Sequence, residues 1–235
     1  RETVLNAGMD KHDRLRPAWK ARHTVLTYQH RMHPDIADFP RRQFYKNEAL
    51  QDANTVKTRD TNGTWKPEYG ISAPQRRTWI DVVGRESKGV NASEVEVVEH
   101  VLEHFLRWAK SMPHPRPGKR WEVAVLAFYV AQQRALSRAL QRVTRNPSAF
   151  MRFDAPNVEI VCGTVDRFQG READLVLLSL RNASREGFLD SPNRLNVAIT
   201  RARQQLFIVG NHQYFASCQT PELKNLSNQT AVTRR

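Results

Sequence analysis

Cysteine is scarce. Only Cys162 and Cys218 occur in 235 residues, too few for a disulfide scaffold, so both read as reduced thiols of a cytoplasmic or nuclear protein. Cys162 reads as a small core residue in a strand. Long apolar runs are also missing: the longest are strand-length, well short of the ~20 residues of a spanning helix, and Arg1-Glu-Thr-Val4 begins no signal peptide. A membrane is therefore excluded from the expected partners. Acidic residues are few beside basic ones, 24 against 37, which gives a formal net charge of +13. Folding does not require that excess, and it points to a polyanionic partner. Two further absences bear on chemistry. No Gly-x-x-x-x-Gly-Lys-Ser/Thr occurs, Gly118-Lys119 being framed by Pro117 and Arg120, and no adjacent Asp-Glu pair is present. A phosphate cradle with its own metal ligands is thereby excluded from these residues.

What is present is a core-forming chain. A hydrophobic content of 40% can bury a sizeable interior, and the length suits one large domain. Apolar residues alternate between strand and helix periods, the α/β signature. Strands are expected at Thr78 to Val83, Glu122 to Ala127, Val158 to Cys162, Asp174 to Leu180 and Gln205 to Gly210. Between them, Val95, Val98, Leu102, Phe105, Leu106 and Ala109 recur at helical spacing with Asn91 or Ser93 as cap, Ala131 to Val143 forms another helix, and Asn193 to Ala202 a third. Leu175-Val-Leu-Leu-Ser-Leu180 is almost wholly apolar, as in a central strand covered on both faces. Residues 50–77 are polar, with Asn62-Gly63 and prolines, and read as an exposed excursion. From about Thr220 the chain reads as a loosely held tail.

Three stretches carry candidate chemistry. Thr164-Val-Asp-Arg-Phe-Gln-Gly-Arg-Glu172 leaves the carboxyl end of a strand, where open α/β sheets bind ligands. Thr164 offers a hydroxyl and an N–H to phosphate, Gln169 and Gly170 permit close backbone approach, and Glu172 can accept from sugar hydroxyls. The same residues also suit a turn capped by Asp166 with solvated Arg171 and Glu172. Leu195-Asn-Val-Ala-Ile-Thr-Arg-Ala-Arg203 ends a helix with Arg201 and Arg203. Guanidinium groups bind phosphate through paired hydrogen bonds, although cations also gather at helix ends for the dipole alone. Tyr28-Gln-His-Arg-Met-His-Pro34 sets Pro34 in a first helical turn, with Arg31 and Gln29 able to reach a nucleotide and Tyr28 or His30 able to stack on a base. Without a Cys or carboxylate cluster beside its two histidines, no metal site is expected.

In this order the three stretches resemble motifs of the second RecA-like domain of superfamily 1B helicases, the group of the nonsense-mediated-decay RNA helicase and its DNA-acting relatives. That family writes them Gln-Tyr-Arg-Met-His-Pro, Thr-Val-Asp-x-Phe-Gln-Gly-Arg-Glu and Leu-Asn-Val-Ala-Leu-Thr-Arg-Ala-Arg. The likeness covers residues 25 to 212 or so. It implies an α/β, RecA-like three-layer sandwich with a mainly parallel central sheet, lacking its own P-loop. It implies a domain over 25–215, a lead-in from a preceding motor domain over 1–24 and a C-terminal tail over 216–235.

The resemblance also implies roles. Arg31 would contact the terminal phosphate of ATP, Arg201 would be the arginine finger, and Glu172 would hold the ribose. Gln29, His30, Tyr28, Gly170 and Arg203 complete the expected nucleotide site. Thr164, Gln169, Arg167, Tyr129 and Gln132 make the expected surface for single-stranded RNA or DNA. ATP and Mg2+ are the implied cofactors, the metal ligands belonging to the first RecA-like domain, and translocation would run 5′ to 3′. Two positions depart from the family pattern. His30 replaces the adenine-stacking Tyr, and Ala127-Phe-Tyr129 replaces Thr-Pro-Tyr, so a backbone-contacting hydroxyl is missing while Tyr129 and Gln132 remain. The competing readings are a non-catalytic nucleic-acid-binding module and a scaffold domain that uses the excursion as its contact surface.

Overall fold

A computed structural model describes residues 27–46, 50–58, 65–181, 189 and 191–234. The expected lead-in, residues 1–24, and the middle of the excursion, 59–64, lie outside the described residues. In chain order the elements are β1 (Tyr28–Gln29), α1 (Pro34–Gln43), β2 (Gln51–Asp52), α2 (Asn54–Lys57), β3 (Arg77–Asp81), β4 (Glu86–Ser87), β5 (Val90–Asn91), α3 (Ala92–Ser111), β6 (Trp121–Ala127), α4 (Val130–Thr144), β7 (Arg152–Ala155), β8 (Val158–Thr164), a 3-10 turn (Asp166–Phe168), β9 (Ala173–Ser179), α5 (Pro192–Ile199), β10 (Ala202–Gly210), α6 (His212–Ser217), α7 (Pro221–Asn228) and β11 (Ala231–Thr233).

Seven strands form one sheet in the order β11-β3-β10-β9-β6-β8-β7, all parallel except the antiparallel edge strand β7. Every residue of β9 is buried, as an apolar run flanked by strands on both sides and helices on both faces must be. Alternation assigns the faces. Leu175 and Leu177 pack with α3 and α4 in one core, while Val176 and Leu178 pack with α1, α5, α6 and α7 in the other. The three-layer α/β sandwich is the expected architecture.

Two expectations fail at the periphery. The chain after Thr220 is no loose tail: Leu223 and Leu226 of α7 are fully buried, and β11 joins the sheet beside β3 with Val232 opposite Trp79. The excursion is anchored at both ends. β2 pairs with β1, and Trp65 and Tyr69 are buried, Trp65 meeting Trp108 and Trp121 edge-on at 5.9 and 5.2 Å. Two isolated aromatics in a polar tract gave no periodicity to read, yet burial of such rings dominates core energetics. The antiparallel strand β7 was also unforeseen, because four residues on a sheet edge bury only one large side chain, Phe153.

The start of α3 explains a buried charge. Asn91 caps the helix by accepting from the Glu94 N–H at 3.3 Å and donates to Glu94 Oε1 at 3.0 Å, a reciprocal cap of the Asx type. Glu94 Oε2 accepts from Ser179 Oγ at 2.6 Å and from the Arg181 N–H at 2.8 Å. The carboxyl group thereby ties α3 to the carboxyl end of β9. Burial raises its pKa from the ordinary 4.5 to about 7, against the lowering effect of those donors. Between these two values the folded protein binds more protons than the unfolded chain. The stabilisation from Glu94 is therefore complete below about pH 4.5 and is lost as pH rises through about 7. In urea titrations across this range, Glu94→Gln should remove that decline, so that the stability difference between wild type and variant shrinks with rising pH. An identical pH slope in both proteins would overturn the assignment.

Candidate functional site

The parallel register fixes where each candidate residue lies. Ala127 of β6 stands beside both Thr164 and Ser179, which puts Thr164 at the carboxyl end of the sheet. Ala173 stands beside Ala202, which puts Glu172, Arg201 and Arg203 at the amino ends of β9 and β10. The strand between is Ala173–Ser179, and six steps of about 3.3 Å make the two ends roughly 20 Å apart. The two phosphate-binding chemistries expected on one sheet edge therefore occupy opposite ends, and residues 164–172 are the bridge. The bridge crosses through the 3-10 turn with Val165 and Phe168 buried. It then turns at Gly170, φ 85°, where an added Cβ would meet nothing within 4 Å, so the glycine is required by conformation alone. Asp166 does not cap this turn. Its carboxylate pairs with Arg194 at 3.2 Å.

At the amino end, three distant stretches converge on one chain of charges. Gln29, at the end of β1, accepts from the N–H groups of Arg31 and Met32 at 2.9 and 2.8 Å and donates to the Met32 carbonyl and Asp52. Its amide is thus occupied in shaping the loop that presents Arg31. His33 caps α1 with Nδ1 and donates its N–H to the Arg203 carbonyl at 2.8 Å. Arg31 Nε donates to Glu172 at 2.5 Å and its Nη1 to the Thr200 carbonyl at 2.9 Å. Arg203 reaches Asp174 at 2.9 Å, Glu122 at 2.5 Å and Glu172 at 3.3 Å.

Desolvation disfavours charge on both Arg203 and Glu172, but ion pairing prevails. The Arg203 guanidinium is held above its usual range by Asp174, Glu122 and Glu172, and the Glu172 carboxyl below its own by Arg31 and Arg203. Arg201 is held differently. α5 ends at Ile199, and Arg201, two residues on, meets the negative end of that helix, as a cation placed at a helix terminus does, whereas Arg203 lies in β10. The Arg201 guanidinium donates to the carbonyls of Val197 at 2.8 Å and Arg171 at 3.0 Å and to the Thr200 hydroxyl at 3.2 Å. Burial and the nearby Arg31 charge lower its pKa, although a guanidinium stays charged at working pH. A half-buried cation held by neutral acceptors is chemically ready for an anion.

Tyr28 and His30 are exposed beside this cluster, His30 Nδ1 lying 3.4 Å from the Thr55 hydroxyl. At the carboxyl end, Thr164 is nearly buried, while Arg167 and Gln169 are exposed along the bridge. The Tyr129 ring lies under the Arg181 guanidinium at 3.4 Å. Gln132 is the candidate that the structure removes from the surface. It is wholly buried, donating to Ser179 Oγ at 2.9 Å and to the Asn91 carbonyl and accepting from the Asn91 N–H, so its amide supports the carboxyl end of β9 and is not presented to a ligand. Asp174 and Glu122 were missed as site residues. Each sits in a strand whose apolar pattern dominates the reading, and only the charge interrupting that pattern could have flagged it.

A family model described as an AAA domain, AAA_12, matches residues 6–213. The "Regulator of nonsense transcripts 1 homolog" of Arabidopsis thaliana is 32% identical over 202 residues, 79% of this chain and 14% of that protein. "Helicase sen1" of Schizosaccharomyces pombe is 31% identical over 217 residues, 88% of this chain and 12% of that protein. The chain thus spans a small part of the curated relatives it matches. Among solved structures, the C-terminal domain of a possible DNA helicase from Lactobacillus plantarum superposes with a TM-score of 0.46 at 16% identity, over 87% of this chain and 98% of that one. The chain belongs to the superfamily 1B helicases of the nonsense-transcript-regulator and Sen1 type and is a RecA-like helicase domain of that family.

Proposed function

We propose that this chain is the C-terminal RecA-like domain of an ATP-dependent helicase, and that it supplies the arginine finger and part of a single-strand surface to an active site completed by a first RecA-like domain. The observation that carries this reading is the convergence of Arg31, Glu172, Arg201 and Arg203 at one end of the sheet, with Thr164 at the other and Arg167 and Gln169 exposed on the bridge between them. One end suits a nucleotide and the other a strand, as a motor requires of each of its domains.

In this reading Arg201 leaves its carbonyl acceptors and donates to the γ-phosphoryl oxygens of ATP, where negative charge must be stabilised as water displaces ADP and inorganic phosphate forms. Arg31 meets the same phosphate from the loop that Gln29 shapes. Glu172 shares its acceptor capacity between Arg31, Arg203 and the ribose hydroxyls. His30 stacks on the base more weakly than a phenol would. Mg2+ would be held by carboxylates of the first domain and would neutralise the β and γ oxygens. Closure and reopening of the domain pair move the strand, 5′ to 3′ by the family's polarity. No helix among the described residues is long and apolar enough to cross a membrane.

Two measurements test this reading. In the protein carrying both motor domains, Arg201→Ala should lower strand-stimulated ATP hydrolysis about 1,000-fold and leave strand affinity within about twofold; normal turnover would sink the finger assignment. Binding of single-stranded homopolymers should weaken linearly in log salt, by roughly 0.7 log units per decade for each neutralised phosphate, with little dependence on base. A slope near zero, or strict base preference, would argue against a backbone-reading motor domain.

A further inference from the structure

Residues 130–153 contain Arg134, Arg138, Arg142, Arg145 and Arg152 and no Asp or Glu. Helix formation does not explain this. An exposed helical face gains from acids spaced four residues from such arginines, and here that pairing is left out. Arg142 turns toward α3 and pairs with Glu99 at 2.6 Å. Arg134 and Arg138 remain exposed, one turn apart on α4.

The same segment displays apolar side chains that its own core does not take. Val130, the first residue of α4, is 51% exposed, Phe150 48% and Met151 37%. Phe150 is rigidly presented. Ser137 Oγ donates to its carbonyl, Gln141 Nε2 donates to the Ala149 carbonyl at 2.8 Å, and the Cys162 N–H donates to the Met151 carbonyl at 2.8 Å. Arg152 stands opposite Val161 in the β7–β8 pair. Carried back two residues, that antiparallel register sets Phe150 level with Gly163, immediately beside Thr164 at the carboxyl end of the sheet. Val130 stands at the same end, three residues past Ala127, the neighbour of Thr164.

The geometry points to a base-stacking ledge made by Phe150 and Met151, with Arg134 and Arg138 as its phosphate contacts, that carries a single strand outward from Thr164 across the β8–β7 edge. It rests on the reading of the Thr164 end as strand-binding. The occupant is identified by its chemistry: an exposed aromatic on a fixed backbone offers a π face to any base, and a tract without acids beside it favours a polyanion. A protein partner drawn to these arginines would need acids of its own, and pairing along the β7 edge would leave the Phe150 ring and the α4 arginines unused.

Zero-length photocross-linking of the protein to a 4-thiouridine RNA of about twelve nucleotides tests this, because trypsin separates the two parts of the path. Peptide 146–152 contains Phe150 and Met151, and peptide 153–167 contains Thr164. Both should carry adducts. Phe150→Ala should remove the adduct on 146–152 and weaken binding of this RNA about tenfold, while Phe150→Trp should retain the affinity. Arg138→Gln should lower the salt slope by roughly 0.7 to 1. An adduct on 153–167 alone, with unchanged affinity in Phe150→Ala, would overturn the ledge and leave the strand-binding end standing, assigning the patch to another partner. Adducts on neither peptide would overturn the reading on which the ledge rests.

Discussion

The guanidinium of Arg203 is the point on which the amino end of the sheet depends. It joins carboxylates at or beside the starts of two strands, Glu122 on β6 and Asp174 on β9, from its own place on β10, and it adds Glu172. Asp174 is nearly buried, and a carboxylate there would be costly without its partner. Because Glu172 is shared, Arg31 inherits its position from Arg203. The first loop is also tied to this residue directly, through the His33 N–H and the Arg203 carbonyl. Three stretches far apart in sequence are thereby one structural unit before any ligand is considered.

The second constraint is the sheet itself. A parallel sheet covered by helices on both faces can present polar chemistry only at strand ends, and this chain uses both ends. Residues 164–172 connect them through one 3-10 turn and no α-helix, and their inward side chains, Val165 and Phe168, are buried in the core that α1 and α5 also enter. Close-packed interiors transmit displacement in preference to absorbing it. The bridge is therefore a short physical link between the proposed nucleotide end and the proposed strand end.

Much of this was legible in the sequence, and the failures have identifiable causes. The central strands and the helices between them follow from apolar period, and the charged candidates were found because Arg31, Glu172 and Arg201 stand in stretches whose residue order matches a family. Which end of the sheet each residue occupies was not legible, because a tight turn near Gly170 and a crossing through a 3-10 turn look alike in one dimension. Gln132 was misjudged for a similar reason. Its spacing from Tyr129 fits a surface helix, but α4 turns that position onto the Asn91–Ser179 network. The tail was misjudged because α7 anchors through only two leucines and β11 is three residues long, too little for periodicity to register.

The two arginines that define the proposed nucleotide end are restrained by bonds of different kinds, and this orders their behaviour. Arg31 is bound to a carboxylate, whereas Arg201 is bound to carbonyls and a hydroxyl. Both guanidiniums are ionised donors, but only Arg31 also gains the attraction of a full opposite charge, so Arg201 is the easier of the two to draw out. Its charge is also the less comfortable where it rests, being half-buried and close to Arg31. An arriving phosphate would relieve both penalties together by supplying negative charge between two crowded cations. Under the proposed finger role, Arg201 would leave its place and return in every cycle, and neutral acceptors suit that role because they do not compete for the cation as a carboxylate would.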